Sequence, residues 1–218
     1  MRPETGEDPF PSSRSAAELL ERHPILHPPV STAGAAVTIV LRDGAHGPET
    51  LLIERATNAS DPASGDVALP GGRVEDRDGS LATTALRELR EEVGLGAGDL
   101  AGPLRFVGAT PAPRFRLHVG VFAARLGDAA GPPTVGSPTE VAHVFWLPLR
   151  SLAESRFVTR NGPTGPRPVR ATVHEGHVLW GFTRRVLREF TDLPPEDRPE
   201  GPVTVSTHGD PRGGSDRL

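Results

Sequence analysis

The chain contains neither cysteine nor lysine, and each absence narrows the range of functions. Without cysteine there can be no disulfide bond, no thiolate zinc site and no thiol nucleophile. All 24 basic residues are arginine, a bias that we attribute to genome composition rather than to nucleic-acid binding. The formal net charge of -4 gives no general attraction to polyanions, so nucleic acid is not an expected partner.

Long apolar stretches are also missing. No apolar run approaches about 18 residues, the length that a membrane-spanning helix needs, and the first residues do not form a charged and then apolar leader. The sequence therefore predicts neither a membrane partner nor secretion, and the cytoplasm is the expected location.

Glycine and proline are abundant, with 25 and 24 residues, whereas apolar residues make up only 36% of the chain. A length of 218 residues is enough for one domain with a full core. Both ends are polar and rich in proline, which predicts disordered tails over 1–14 and 194–218. A single domain is therefore expected over 15–193.

Within this domain, β-branched and alternating apolar segments predict strands that alternate with helices. The expected strands are 35–41, 49–55, 66–69, 104–110, 117–125, 140–147, 169–173 and 177–179. Short helices are expected over 15–22 and 149–154, and a last helix over 180–190 with Arg184 and Arg185 facing solvent. A glycine- and proline-rich loop is expected over 160–168. This order predicts an α/β protein with a mixed sheet sandwiched between helices.

The segment 69–95 is the most informative part of the sequence. It indicates a glycine-rich turn, an acidic loop and one amphipathic helix, which Ser80 can cap and Gly94 can end. The apolar residues at helical spacing, which predict a buried stripe, are Leu81, Ala82, Ala85, Leu86, Leu89 and Val93. Glu88, Glu91 and Glu92 are expected on another side of the helix.

These three glutamates form a patch of like charge, because residues three and four apart on a helix are neighbours. A hard divalent cation such as Mg²⁺ prefers carboxylate oxygens and would relieve the repulsion. Arg87 is adjacent to the patch and can pair with a carboxylate and hold it in place. From these residues alone, a metal site and a solvated acidic helix face both stay open.

The spacing of the segment resembles the Nudix box. Gly72 opens the pattern, and residues 87–95, RELREEVGL, close it without a mismatch. Two features depart from the common form: Asp78 stands where glutamate is usual, and eight residues rather than seven separate it from Arg87. This variant is similar to the coenzyme A diphosphatase branch of the Nudix hydrolases. The resemblance implies a Nudix-type α/β/α sandwich with a mixed sheet.

The resemblance also implies an activity, the hydrolysis of a nucleoside diphosphate linked to another group. The expected cofactor is Mg²⁺ or Mn²⁺, and the expected partner is a small nucleotide diphosphate substrate. We expect Glu88 and Glu92 to bind the metal, with Glu91 as a further ligand and a backbone carbonyl at Gly72 as another. Arg87 is expected to orient a carboxylate, Glu91 and Glu140 are the candidates for the general base, and the residues expected to bind substrate are Arg55, Gly71 and Arg73.

The substrate is less closely specified. Three flanking segments resemble the coenzyme A branch, namely LLIERA, EVAHVFWLPL and HVLWGFTRRVL. Before the box, however, Asp66 replaces glutamine, Leu69 replaces phenylalanine, and Ala63 or a neighbour stands where the branch has histidine. ADP-ribose, NADH, dinucleoside polyphosphates and nucleoside triphosphates are therefore alternative substrates, and a non-catalytic nucleotide sensor is a third reading. A homodimer is compatible with the sequence.

Two smaller features have alternative interpretations. The loop 114–116, Arg-Phe-Arg, could hold a phosphate or an adenine, although a solvated loop anchored by Phe115 is the simpler expectation. Trp146 and Trp180 are expected to fill the core.

Overall fold

The computed structural model describes residues 15–57, 65–162, 165–194 and 196. The expected N-terminal tail, Ala63 and most of the expected C-terminal tail lie outside these residues. Two residues of the latter, Pro194 and Glu196, are described. Of the helices in the described part, none is long and apolar enough to cross a membrane.

Three helices and ten strands are described, in an order close to that expected. The helices are α1 (Ala16–Glu21), α2 (Leu81–Val93) and α3 (Gly181–Phe190). The strands are β1 (Ala35–Gly44), β2 (Gly47–Arg55), β3 (Val67–Ala68), β4 (Gly71–Arg73), β5 (Arg105–Ala112), β6 (Leu117–Arg125), β7 (Val141–Pro148), β8 (Arg156–Gly162), β9 (Gly165–His174) and β10 (His177–Trp180). The segment expected as a helix over 149–154 forms a short 3-10 helix, Leu149–Ala153.

The main sheet has the strand order β3-β2-β1-β6-β5, with β4 added to β1 and β7 added to β2. β1 and β6 run parallel, whereas β1 and β2 form the antiparallel hairpin that the sequence predicts. A second sheet of order β10-β9-β8 follows β7 in the chain. The main sheet is therefore mixed, as expected.

Helices cover both faces of the main sheet because the side chains of its central strands alternate. Ala36 and Val40 of β1 face the cluster that contains the apolar side of α2. Ile39 and Leu41 face the opposite cluster, which contains residues of α1 and α3. The α/β/α sandwich is thus confirmed, and the acidic helix α2 lies alone on its face of the sheet among the described helices.

Three local expectations were wrong. Residues 71–73 are not a turn but the strand β4, which pairs with the start of β1. Residues 160–168 are not a loop: 160–162 belong to β8 and 165–168 to β9, and the two strands pair. Arg184 does not face solvent but is only 5% exposed, and its guanidinium binds Glu196.

Candidate active site

The three glutamates are positioned by α2, whose ends are fixed by capping. Ser80 Oγ accepts a hydrogen bond from the backbone N–H of Thr83 at 3.2 Å, which satisfies one of the free donors of the first turn. Gly94 ends the helix with a φ of 72°, a left-handed conformation that favours glycine. Both predicted ends of the helix are confirmed, so the register of the carboxylates along α2 follows from local sequence.

Glu92 was expected on a different side of α2 from the buried stripe. In the structure it lies at the edge of this stripe and is 3% exposed. Its carboxylate Oε2 accepts a hydrogen bond from the backbone N–H of Gly71 at 2.8 Å. The pKa of Glu92 is raised to about 8, chiefly by burial and also by the nearby charge of Glu88, whereas the Gly71 hydrogen bond opposes the increase. The carboxylate therefore lacks sufficient positive charge nearby to stabilise its ionised form.

Gly71 can donate this hydrogen bond because β4 passes very close to β1. A Cβ atom at Gly71 would lie 2.2 Å from the carbonyl oxygen of Ala36 and 2.6 Å from Cα of Val37. The φ of 151° at Gly71 is a further reason why a side chain is excluded there. This glycine thus brings the box strand within hydrogen-bonding distance of Glu92.

Glu88 lies against the next residue of the same strand, Gly72. A Cβ atom at Gly72 would lie 2.3 Å from Glu88 Oε1, so a side chain there would displace this carboxylate. Burial raises the pKa of Glu88, Arg87 opposes the increase, and the charges of Glu91 and Glu140 add to it. Glu88 and Glu92 are therefore two carboxylates in one weakly compensated acidic site.

Arg87 connects α2 to the loop that precedes it. Its Nη1 donates to Glu88 Oε1 at 2.9 Å and to Glu91 Oε2 at 3.0 Å, and its Nη2 donates to the carbonyl oxygen of Arg73 at 2.9 Å. The side chain is 11% exposed, and its hydrogen bond to Asp78 is the main cause of its raised pKa. The Arg87 side chain therefore contacts two carboxylates of α2 and the backbone of β4.

Asp78, the residue that departs from the usual box, anchors Arg87. Nε and Nη2 of Arg87 donate to the two oxygens of Asp78 at 3.2 and 3.0 Å. The Asp78 carboxylate also accepts hydrogen bonds from Thr84 Oγ1 and from the backbone N–H of Glu75, both at 3.0 Å. The Arg87 hydrogen bond is the main cause of a pKa of about 2 for Asp78.

The two candidates for the general base have different surroundings. Glu91 is held by ion pairs to Arg87 at 3.0 Å and to Arg77 at 3.1 Å. Glu140 is exposed and comes from the loop before β7, and its charge raises the pKa of both Glu88 and Glu92. Glu140 thus lies beside the carboxylate pair, although it is distant from them in sequence.

Backbone contacts fix the loop that carries Glu140. The carbonyl oxygen of Glu140 accepts a hydrogen bond from the backbone N–H of Ala56 at 2.8 Å, which attaches the loop to the end of β2. Gly136 donates to the carbonyl oxygen of Glu92 at 2.9 Å, and a Cβ atom at Gly136 would lie 2.3 Å from the carbonyl oxygen of Glu91. The loop therefore packs directly on the last turn of α2.

An open cleft of about 940 Å³ separates this loop from the outer face of α2. Its lining includes Arg87, Glu91, Gly136 and Glu140. Its volume is within the range of small-molecule sites, which makes it a candidate entry for a nucleotide substrate.

The remaining candidates for substrate binding occupy different places. The charge of Arg55 lowers the pKa of Glu92, so this arginine lies near the carboxylate pair at the end of β2. The side chain of Arg73 is exposed, and the contact of this residue with the site is made by its backbone carbonyl oxygen. The structure therefore brings Arg55 to the acidic site more directly than the side chain of Arg73.

In the part of the chain that the structure describes, no group of three or more histidine, aspartate or glutamate residues is arranged to hold a metal ion. The donor set nevertheless fits a hard divalent cation in its chemistry. Burial raises the pKa of both Glu88 and Glu92, Glu140 adds negative charge, and glycine at position 72 keeps side-chain atoms away from Glu88. Carboxylate and carbonyl oxygens are the ligands that Mg²⁺ and Mn²⁺ take.

Sequence reasoning did not identify three of the residues that build this region. The sequence marks Asp78 only as a departure from the box, and it gives no signal for Gly136. Asp66 was recognised as a substitution, without its partners. In each case the partner is distant in sequence or in an unrelated element, and no local pattern reveals such a contact.

Comparison with known proteins agrees with this architecture. Residues 32–167 match the model of the NUDIX domain. Two relatives carry the name uncharacterized Nudix hydrolase NudL, one from Yersinia pestis strain Pestoides F and one from Yersinia pseudotuberculosis strain IP 31758. Each is 32% identical to this chain over 148 residues, which cover 65% of this chain and 70% of the relative. The names of these relatives specify no substrate.

Solved structures of similar proteins show lower identity. A Nudix hydrolase from M. smegmatis, RenU, is 20% identical with a TM-score of 0.48, over 76% of this chain and 89% of that chain. An Ap4A hydrolase from C. elegans is 21% identical with a TM-score of 0.41, over 53% of this chain and 79% of that chain.

An α/β/α sandwich with an acidic helix on one face, matched by a family domain over more than half of the chain, defines the class of the protein. The chain belongs to the Nudix family. It is a hydrolase that acts on pyrophosphate bonds, and enzymes of this family generally depend on a divalent metal.

Proposed function

We propose that this enzyme hydrolyses the diphosphate of coenzyme A or a derivative, with Mg²⁺ or Mn²⁺, to 3',5'-ADP and 4'-phosphopantetheine. The observation that supports the chemistry is the pair Glu88 and Glu92, two largely buried carboxylates of raised pKa beside Gly71 and Gly72. A diphosphate is anionic and kinetically inert in water, so its hydrolysis requires charge neutralisation and a positioned water molecule.

Each residue of the site has a distinct role in this proposal. Glu88 and Glu92 would hold the cation, with Glu91 and the carbonyl oxygen of Gly72 as additional ligands. A divalent cation bound there supplies positive charge to the phosphoryl oxygens and lowers the pKa of a bound water. Arg87 is a positioning residue, because its guanidinium holds Glu88 and Glu91 while Asp78 fixes it from the other side.

Of the two candidates for the general base, we favour Glu140. It borders the cleft and lies near enough to Glu88 and Glu92 for its charge to raise the pKa of both. Glu91 is engaged by two arginines, Arg87 and Arg77, so both of its carboxylate oxygens already accept from guanidinium groups. In this role Glu140 accepts a proton from the attacking water.

The choice of coenzyme A rests on the resemblance of the box variant and of the three flanking segments to the coenzyme A diphosphatase branch. The segment before the box favours a second candidate, hydrolysis of ADP-ribose, NADH, a dinucleoside polyphosphate or a nucleoside triphosphate. The observation behind it is Asp66, which stands before the box in place of the glutamine of that branch.

Chromatographic product analysis with purified protein and Mg²⁺ or Mn²⁺ distinguishes these candidates. The substrates are coenzyme A, acyl-coenzyme A, ADP-ribose, NADH, diadenosine polyphosphates and nucleoside triphosphates, and a Glu92→Gln protein is the control. Release of 3',5'-ADP from coenzyme A, lost in the control, is the expected result. Turnover of the other substrates alone would replace coenzyme A by the second candidate, and absence of metal-stimulated hydrolysis across the panel would overturn both.

A further inference from the structure

A second set of charged side chains meets at Asp66, the residue before β3. Its Oδ1 accepts hydrogen bonds from the indole Nε1 of Trp180 at 3.0 Å and from Nη2 of Arg160 at 3.4 Å. Its Oδ2 accepts a hydrogen bond from Nη1 of Arg114 at 3.2 Å. We call these four residues the Asp66 cluster. Four separate parts of the fold contribute to it.

The Asp66 cluster adjoins the acidic site. The backbone N–H of Arg55 donates to the carbonyl oxygen of Asp66 at 3.1 Å, and the charge of Arg55 lowers the pKa of Glu92. Ala56, the residue after β2, donates a backbone hydrogen bond to the carbonyl oxygen of Glu140. The end of β2 therefore lies between the Asp66 cluster on one side and the carboxylates of the acidic site on the other.

The cluster brings guanidinium groups together, whereas the acidic site brings carboxylates together. Its carboxylate, Asp66, accepts hydrogen bonds from both Arg114 and Arg160. The contact of Arg160 with Asp66 is weak, because Nη2 of Arg160 lies 3.4 Å from Oδ1 of Asp66. Nε of Arg160 is buried without a hydrogen-bond partner among the described residues. Buried donors of this kind are uncommon and favour an additional acceptor.

An apolar ring lies beside these charges. Phe115 is 45% exposed, which is unusual for a large apolar side chain, and the guanidinium carbon of Arg114 lies 5.9 Å from its ring centroid. The guanidinium carbon of Arg160 lies 5.8 Å from the ring of Trp180. Guanidinium groups bind phosphate through several N–H donors, and an exposed aromatic ring can stack on a base.

We propose that the Asp66 cluster is a subsite for a phosphate monoester on the nucleoside part of the substrate, separate from the diphosphate that is cleaved. Arg114 and Arg160 bind the phosphate, and Asp66 is a positioning residue that holds both guanidinium groups and the Trp180 indole. This inference rests on the proposed function for the scissile diphosphate, and it adds that the preferred nucleotide carries a further phosphate group.

Asp66 also sets the strength of this subsite. Its carboxylate competes with the phosphate for the same guanidinium groups, whereas a neutral amide at this position keeps an oxygen acceptor and removes the competing charge. Asp66→Asn is therefore expected to strengthen binding of the extra phosphate, and Arg160→Gln and Arg114→Gln are expected to weaken it.

The test compares two ligands that differ by one phosphate, 3',5'-ADP and AMP, by calorimetric titration of the full chain with Mg²⁺ present. We expect the wild-type protein to bind 3',5'-ADP about tenfold more tightly than AMP, since one charge-assisted contact contributes roughly that factor. Arg160→Gln and Arg114→Gln should each remove most of this preference, and Asp66→Asn should increase it by about threefold. Arg125→Gln, which alters an exposed ion pair with Asp128, is the matched control and should retain the wild-type ratio.

Equal affinities for the two ligands in the wild-type protein would overturn the inference. So would equal losses of affinity for both ligands in the arginine variants together with a lower melting temperature, because the cluster would then be a structural connection only. Hydrolysis of coenzyme A and of 3'-dephospho-coenzyme A is measured with the same proteins. If neither is hydrolysed while the binding preference is present, the proposed substrate fails and the phosphate subsite stands.

Discussion

Arg87 and Asp78 form a two-point ion pair in which Nε and Nη2 of the arginine lie 3.2 and 3.0 Å from the two carboxylate oxygens. The remaining nitrogen, Nη1, reaches Glu88 and Glu91. Asp78, the residue that departs from the usual box, therefore fixes the guanidinium that contacts both of these carboxylates on α2. Aspartate is shorter than the usual glutamate, and the segment between it and Arg87 is one residue longer. Both carboxylate oxygens of Asp78 still contact the guanidinium.

The Asp78 contact predicts a dependence of stability on pH. Arg87 lowers the pKa of Asp78 from 3.8 to about 2, so the ionised form is favoured in the folded state. This stabilisation is fully present above about pH 4, and it is lost as the pH falls through about 2. We expect it to contribute about 1–2 kcal/mol to the free energy of unfolding at neutral pH.

Denaturant unfolding of the wild-type protein and of Asp78→Asn between pH 7 and pH 2 measures this contribution. The difference in the free energy of unfolding should be constant from pH 7 to about pH 5 and should shrink below pH 4. A difference that does not change with pH would show that the ion pair is not the source of the stabilisation.

Divalent metal should stabilise the protein through Glu92. A ligand that binds only the folded state raises the melting temperature as its concentration exceeds the dissociation constant, and a saturating metal is expected to add about 2–3 kcal/mol. Glu92→Gln should retain an acceptor for the Gly71 N–H while it removes the charge, so the metal-free protein stays folded and the metal-induced shift is largely lost. An equal shift in both proteins would place the metal elsewhere.

Gly136 is predicted to matter for activity because it lets the Glu140 loop pack on α2. A methyl group there would lie 2.3 Å from the carbonyl oxygen of Glu91 and would displace the loop. Gly136→Ala is expected to lower kcat about ten- to a hundredfold, since a displacement near 1 Å is enough for such losses. Gly131→Ala is the control, because a Cβ atom at Gly131 meets no atom within 4 Å, and its kcat should equal that of the wild type. Equal activity of the two variants would contradict the role of the loop.

The ion pair between Arg184 and Glu196 is expected to stabilise the folded protein. The guanidinium of Arg184 is largely buried and donates to both oxygens of Glu196, at 2.6 and 2.5 Å. Glu196→Gln leaves this buried charge without its carboxylate and is expected to cost about 2–3 kcal/mol in the free energy of unfolding. Asp128→Asn, in an exposed ion pair with Arg125, should leave stability close to that of the wild type in the same denaturant titration. Similar small effects in both variants would mean that Glu196 is not an anchor.

The sequence was sufficient for features that depend on neighbouring residues. The start of α2 at Leu81 and its end before Gly94 follow from a capping hydroxyl and a left-handed glycine, and both are local. The same holds for α1, which begins after the capping residue Ser15. The arrangement of Glu88 beside Glu91 also follows from helical spacing alone.

Features that depend on distant strands were not predictable in this way. Residues 165–168 contain Pro166 and Pro168 and were expected to form a loop. In the structure β8 pairs with residues 165–171 of β9, whereas β10 pairs only with residues 171–174. Among the described residues, Pro166 and Pro168 therefore have a paired strand on one side only. Proline is tolerated at such positions because it has no N–H to donate.

In the candidate site, too, local features were predictable from the sequence and contacts between distant residues were not. Glu92 was predicted as a metal ligand from the resemblance to the Nudix box, whereas its burial depends on β4 pairing with β1 at Gly71. Arg184 was expected in solvent because the sequence does not show that Glu196, twelve residues further on, returns to the helix. The role of Glu92 in metal binding is a prediction.

The central claim is that Glu88 and Glu92 bind the metal that hydrolysis of a nucleotide diphosphate requires. The most direct measurement is the rate of 3',5'-ADP release from coenzyme A as a function of Mg²⁺ or Mn²⁺ concentration, for the wild-type protein and for Glu88→Gln and Glu92→Gln. We predict saturable dependence on metal in the wild type and a loss of at least about a hundredfold in kcat for each variant, in line with the loss of a metal ligand. Normal metal-dependent turnover in both variants would contradict the assignment of the site.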